Sequence, residues 1–202
     1  MRILTTAILA TAAAAATSIV LLTGCGGSAP EASSSTATST TAARQAAPRA
    51  ASRPACLPNC ANADLRGVTL QGEYLISADF SGADLSDANV IAGPFLIRTN
   101  FTGANLSRAH VVDGQFQMVN FKGANLTGVT FGRLLGIGAN FTDANLTDAM
   151  FVSVQASQLN FTGANLTGAR IRRDTTFGRS SFSNTTCPNG TVTNTGCWPR
   201  GR

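Results

Sequence analysis

Large apolar residues recur at every fifth position from Leu65 to Ile171, separated by small and polar residues. The fullest form of the unit is Ala-Asn-Leu-Thr-Gly, at Ala124 to Gly128 and again at Ala164 to Gly168. With the Leu or Phe taken as its centre, centres fall at 65, 70, 75, 80, 85, 90 and 95. After a one-residue slip they resume at 101 and continue to 171, and only Gly136 and Ala156 lack a large apolar group. A short fixed period predicts a solenoid, in which each unit is buried only by stacking on its neighbours.

A rhythm of twenty residues overlies the first. Asn-Phe recurs at Asn100-Phe101, Asn120-Phe121, Asn140-Phe141 and Asn160-Phe161, and Asp79-Phe80 extends the series backwards across the slip. Four units therefore make one coil, and residues twenty apart stack. This predicts one column of Phe80, Phe101, Phe121, Phe141 and Phe161 and a second through Leu65, Leu85, Leu106, Leu126, Leu146 and Leu166. Leu70, Val90, Val111, Phe131, Phe151 and Ile171 form a third, and Leu75, Phe95, Phe116, Gly136 and Ala156 a weaker fourth. The small residue two before each centre shares its face on an extended chain, so both point inward. Leu134 beside Gly136 fits this, the large group having moved to the small slot. A helix is excluded, because five residues turn about 500° and would wind the centres around its axis.

This pattern resembles the pentapeptide-repeat family. The resemblance implies an all-β fold, a right-handed quadrilateral parallel β-helix. The repeat length gives about five to six coils, a rod on the order of 25 Å long. Glu73 occupies an inward slot near the first coil and reads as part of a frayed terminus, the alternative being a buried functional carboxylate.

The ends predict location. Arg2 precedes an apolar stretch from Ile3 to Leu22, which reads as an export signal. It closes on Leu22-Thr23-Gly24-Cys25, which looks like a bacterial lipobox with Cys25 as the lipidated residue; an uncleaved transmembrane anchor is the alternative. Both place the remainder outside the cytoplasmic membrane, on its extracytoplasmic face. Residues 26–55, rich in Ser, Thr, Ala and Pro, read as a disordered tether. The expected organisation is thus 1–25 signal and lipobox, 26–55 tether, 56–62 N-terminal cap, 63–182 β-helix and 183–202 C-terminal hairpin cap.

Four cysteines bracket the repeats. A bridge needs Cα atoms within about 7 Å, and the rod keeps its ends far apart. The expected pairs are therefore Cys56–Cys60 and Cys187–Cys197, suited to an oxidising compartment. A zinc site built from the same four residues is the competing reading.

Charge and surface residues carry the functional expectations. The net charge of +5 is unevenly placed, acidic in the first coils and basic towards the end, where Arg170, Arg172, Arg173 and Arg179 gather. That cluster is either an anion-binding patch for lipid headgroups or an acidic envelope polymer, or simply a solvated edge. Outward slots on the third and fourth sides hold Ile91, Leu96, Val112, Met118, Leu135, Ile137, Met150 and Val152. They form either a broken apolar contact strip for a protein partner, a second copy or lipid, or a local bulge that turns some of them inward. His110 stands alone among potential catalytic groups, and Asp143 and Asp148 read as turn residues, so no enzyme, cofactor or metal site is expected. The reading is a non-enzymatic, lipid-anchored structural or protein-binding module of the cell envelope. The family also includes DNA mimics that regulate DNA gyrase. An export signal and a repeat region without net acidity argue against that alternative, and no nucleic acid is expected.

Overall fold

The computed structural model describes residues 53–71, 75–91, 93, 95–172 and 174–198, which form one parallel β-solenoid of about five turns. The calls on Cys25, the tether from 26 to 52, Glu73 and Arg173 lie outside the described residues. Its strands are β1 (Thr69–Gln71), β2 (Asn89–Ile91), β3 (Leu96–Ile97), β4 (His110–Gln117) and β5 (Thr130–Ile137). Then follow β6 (Met150–Ser157), β7 (Arg170–Ile171), β8 (Thr176–Gly178), β9 (Thr185–Thr186) and β10 (Val192–Thr193). Strands β1 to β8 pair only in parallel, each with the coil above or below, as in Val111↔Phe131↔Phe151.

The four columns are four sides. On side one Phe80, Phe101, Phe121, Phe141, Phe161 and Phe182 are stacked, with successive ring centroids 5.2, 5.2, 5.0, 5.2 and 5.3 Å apart. Side two is the leucine column, with Leu85, Leu106, Leu126, Leu146 and Leu166 all fully buried. Phe131 of side three meets Phe121 and Phe141 edge-on, so the aromatic packing crosses the interior. The alanines two before the centres, such as Ala104, Ala124 and Ala144, are buried too. Each square coil therefore closes on alternating large and small groups, with little room to spare.

Corners follow from the residue two after each centre, which adopts the left-handed conformation. Between sides one and two this is mostly glycine, Gly82, Gly103, Gly123 and Gly163 with φ of 65, 65, 64 and 69°, with Asn62 and Asp143 at 58 and 57°. A β-turn closes there, Ala83 N–H donating to the Phe80 carbonyl at 3.1 Å. A third turn residue with positive φ favours glycine, which is why Gly ends the motif. The corner between sides three and four is different. Asp113, Arg133 and Ser153 hold its positive φ, and β4, β5 and β6 run through it.

The structure corrects the register at the slip. Leu96, expected outside, is fully buried and pairs with Phe116, whereas Phe95, expected as a centre, is 38% exposed. The extra residue thus lies between Ile91 and Leu96, where Gly93 has a φ of 51°, and not after Phe95. A second insertion, between Ile171 and Phe177, was not anticipated. Phe151↔Ile171 are twenty apart, and Ala156↔Phe177 twenty-one.

Both ends are stapled as the sequence predicts, with Cys56 bonded to Cys60 and Cys187 to Cys197. Stacking begins inside the segment expected as a cap: Asn59 bridges Asp79, and Cys60 is buried beneath the Phe80 column. At the other end β9 and β10 form an antiparallel hairpin around Pro188-Asn189-Gly190. Its disulfide draws Trp198 over the last aromatics, with centroids 5.3 Å from Phe177 and 5.9 Å from Phe182. Loop closure by this bridge contributes about 2–3 kcal/mol, and the lid covers apolar surface that an open last coil would expose.

Candidate functional site

The outward groups of sides one and two are committed to the fold. The residue before each centre is Asn or Asp, and its side-chain oxygen accepts from the residue two further on. Asn140 Oδ1 takes the Thr142 N–H at 3.1 Å and the Thr142 hydroxyl at 2.6 Å. Its amide nitrogen donates to Asn120 Oδ1 of the adjacent coil at 3.1 Å. The pattern repeats along side two, where Asn125 Nδ2 donates to Asn105 Oδ1 at 3.0 Å and Asn165 Nδ2 to Thr147 Oγ1 at 3.2 Å. Each Asn thus bonds both within its turn and along the rod.

Sides three and four have no such ladder. Ile76 (48% exposed), Phe95, Leu135 (51%) and Ile137 are outward on side four, and Met118 (62%) sits at its corner with side one. The backbone bond from Ser77 N–H to the Ile97 carbonyl places Ile76 beside Ile97, in the row of Ile137. Ile91 is exposed on side three, and Val112, Met150 and Val152 are half-buried there. Of the eight residues expected outside, Ile91, Met118, Leu135 and Ile137 are exposed, Val112, Met150 and Val152 are half-buried, and Leu96 is buried with Phe95 outside in its stead.

The basic cluster divides. Arg170 follows Met150 in register and Arg172 lies on the same side three, whereas Arg179 is at the corner between sides four and one. These three are exposed, and Arg98 occupies the same corner as Arg179. His110 is exposed at the start of β4. Among the described residues no three His, Cys, Asp or Glu side chains gather as a metal site would require, and no helix is long and apolar enough to cross a membrane.

Among the described residues, two bidentate cross-coil ion pairs escaped the sequence reading, although spacings of 21 and 20 residues could have revealed them; Arg66 also approaches Asp84 of the next coil at 4.0 Å. Arg108 grips Asp87 through two bonds of 2.7 and 2.6 Å, and Arg133 grips Asp113 in the same way. Each guanidinium holds its carboxyl below the ordinary aspartate value of 3.8. Asp79 is lowered as well, chiefly by the Ser81 N–H, then by the Ser81 hydroxyl and the Asn100 amide. With folded values depressed, the stability these groups contribute is complete above pH 3.8 and is lost as pH falls through the lowered values. Urea midpoints should accordingly stay level from neutral pH down to that point and then drop, with a shallower drop in Asp79→Asn. Exposure keeps each contribution small.

With the geometry in hand, comparison with known proteins is informative. The sequence profile of pentapeptide repeats matches residues 59–91, 96–133 and 139–173, in 8 copies. The chain belongs to the pentapeptide-repeat family. Its breaks, at 92–95 and 134–138, fall at the first insertion and at Gly136, where the repeat departs from its pattern. A search of curated proteins finds no sequence match to this pentapeptide-repeat protein.

Solved structures similar to it include the pentapeptide repeat protein Rfr23 from the cyanobacterium Cyanothece 51142, at 22% identity and a TM-score of 0.31, covering 59% of this chain and 91% of that one. QnrB1, a plasmid-mediated fluoroquinolone resistance protein, matches at 20% identity and 0.20, over 55% and 58% of the two chains. A protein of the Arabidopsis thaliana thylakoid lumen matches at 22% and 0.21, over 67% and 68%.

Proposed function

We propose that this pentapeptide-repeat protein is a non-enzymatic contact module, lipid-anchored through Cys25 on the extracytoplasmic face of the cell membrane, which meets its counterpart through sides three and four. The observation that carries the reading is the division of the surface. Asn and Thr on sides one and two satisfy one another along the rod, while Ile76, Leu135 and Ile137 on side four leave apolar surface in water. An apolar patch that the fold does not bury calls for a partner. Cys25 at the end of an apolar run supports the anchor, and two disulfides suit an oxidising location.

The test has two arms. Cys25→Ala should move the protein from the membrane fraction to the soluble extracytoplasmic fraction. Leu135→Lys combined with Val152→Lys should leave the β circular dichroism and thermal midpoint unchanged, yet abolish crosslinking of the anchored protein to envelope components. Undiminished crosslinking in that variant would refute the contact face.

A further inference from the structure

Resolved side by side, the charges divide across the rod as well as along it. Among the described residues, sides three and four, the corner between them and the corner of side four with side one carry Arg98, Arg133, Arg170, Arg172 and Arg179. Against these stand only Asp113 and Asp174, and Asp113 is neutralised by Arg133. Sides one and two, the corner between them and the corner of side two with side three hold the reverse excess. Asp64, Asp79, Asp84, Asp87, Asp143 and Asp148 outnumber Arg66, Arg108 and Lys122 there. The positive side is also the apolar one: five of the seven large apolar residues exposed on the described surface, Ile76, Phe95, Met118, Leu135 and Ile137, lie on side four or its edge. Apolar groups flanked by arginines are what an anionic bilayer surface attracts, the former entering the headgroup region and the latter pairing with phosphates. Arg98 and Arg179, both in the Met118 corner column, are placed to do this at the border of the patch.

We propose that sides three and four dock on an anionic lipid bilayer, so that the rod lies along the membrane with Leu135 and Ile137 in the headgroup region and its Asn–Thr sides facing away. The proposal rests on the anchored reading above and gives its contact face a specific counterpart. A second copy fits less well, because pairing through this face sets two net-positive surfaces against each other. A lipid anchor raises the local concentration of the face at the membrane, so even weak docking is populated.

The experiment uses the full chain mixed with phosphatidylglycerol-containing vesicles or with phosphatidylcholine vesicles, carrying a nitroxide at Leu135→Cys or, on side two, at Thr147→Cys. The spectrum of the chain without the added cysteine is subtracted. With phosphatidylglycerol the label at 135 should become at least tenfold less accessible to a water-soluble relaxation agent than the label at 147, and high salt should remove the contrast. Equal accessibility at both sites on phosphatidylglycerol vesicles overturns the proposal. So does dipolar coupling between 135 labels of different copies on the vesicles, which identifies a second copy as the occupant. Mass spectrometry of Cys25 tests the anchor separately: a bare thiol there would sink the anchored reading, while the contrast at saturating lipid still decides the docking face.

Discussion

Phe121→Ala should destabilise the rod by about 3–5 kcal/mol, measured as the shift in urea unfolding at constant slope. Its ring lies 5.2 Å from that of Phe101 and 5.0 Å from that of Phe141, and edge-on to Phe131 at 5.9 Å. Removing it takes one rung from the middle of a continuous stack, and neither neighbour can close the gap. The inter-coil backbone bonds fix the coil spacing, as in Phe121 N–H to the Asn140 carbonyl at 2.7 Å. The cavity therefore persists, and the full cost of the lost contacts is felt. Phe182→Ala, at the partly open end beneath Trp198, should cost less. Equal losses at the two positions would show that the stack relaxes freely, contrary to this packing.

Gly136→Leu should also destabilise the rod, for the opposite reason. A Cβ at Gly136 would come within 2.3 Å of Cε2 and 2.4 Å of Cζ of Phe116, whose ring fills the space over that position from the adjacent coil. The neighbouring slot holds the fully buried Leu134, in register with Gly114 on one side and Val154 on the other. Large and small groups have exchanged places between coils on side four, and that side has no room for two large groups in one coil. Overpacking of this kind costs about 1–3 kcal/mol or more. Introducing Phe116→Ala into the Gly136→Leu background should recover part of the loss, although Phe116→Ala alone destabilises. That sign reversal is the test; simple additivity of the two losses would mean that the two side chains do not share one space.

These examples also show how far the sequence could be read. The Gly136–Leu134 exchange was legible because periodicity assigns both positions to the interior, and volume conservation does the rest. The cysteine pairing was legible because a rod keeps its ends apart. The register at the first insertion was not, because Phe95 and Leu96 are adjacent apolar candidates. Counting forward from Val90 selects Phe95, and counting back from Phe101 selects Leu96. Packing chose Leu96, which stacks on Phe116. Thr99, fully buried in a small slot next to this insertion, donates its hydroxyl to the Leu75 carbonyl at 2.5 Å, a polar burial that periodicity alone does not announce.

The candidate site was legible in composition and not in arrangement. Val112, Met118, Leu135 and Ile137 stood out as apolar residues in outward slots, yet Arg179 joined Arg170 and Arg172 only by proximity in sequence. The coil returns it to a different corner, with side four between. Charge counted along the chain suggested an acidic end and a basic end. Assigned to sides, the same residues give the apolar face a positive border.

The central claim is that sides three and four make contact in the envelope and sides one and two do not. It is tested most directly by placing a photo-activated crosslinking residue at Ile137 or at Thr147 of the full chain and irradiating intact cells. The account predicts adducts from position 137 and almost none from position 147. Equal yields from the two, or adducts from 147 alone, would contradict it.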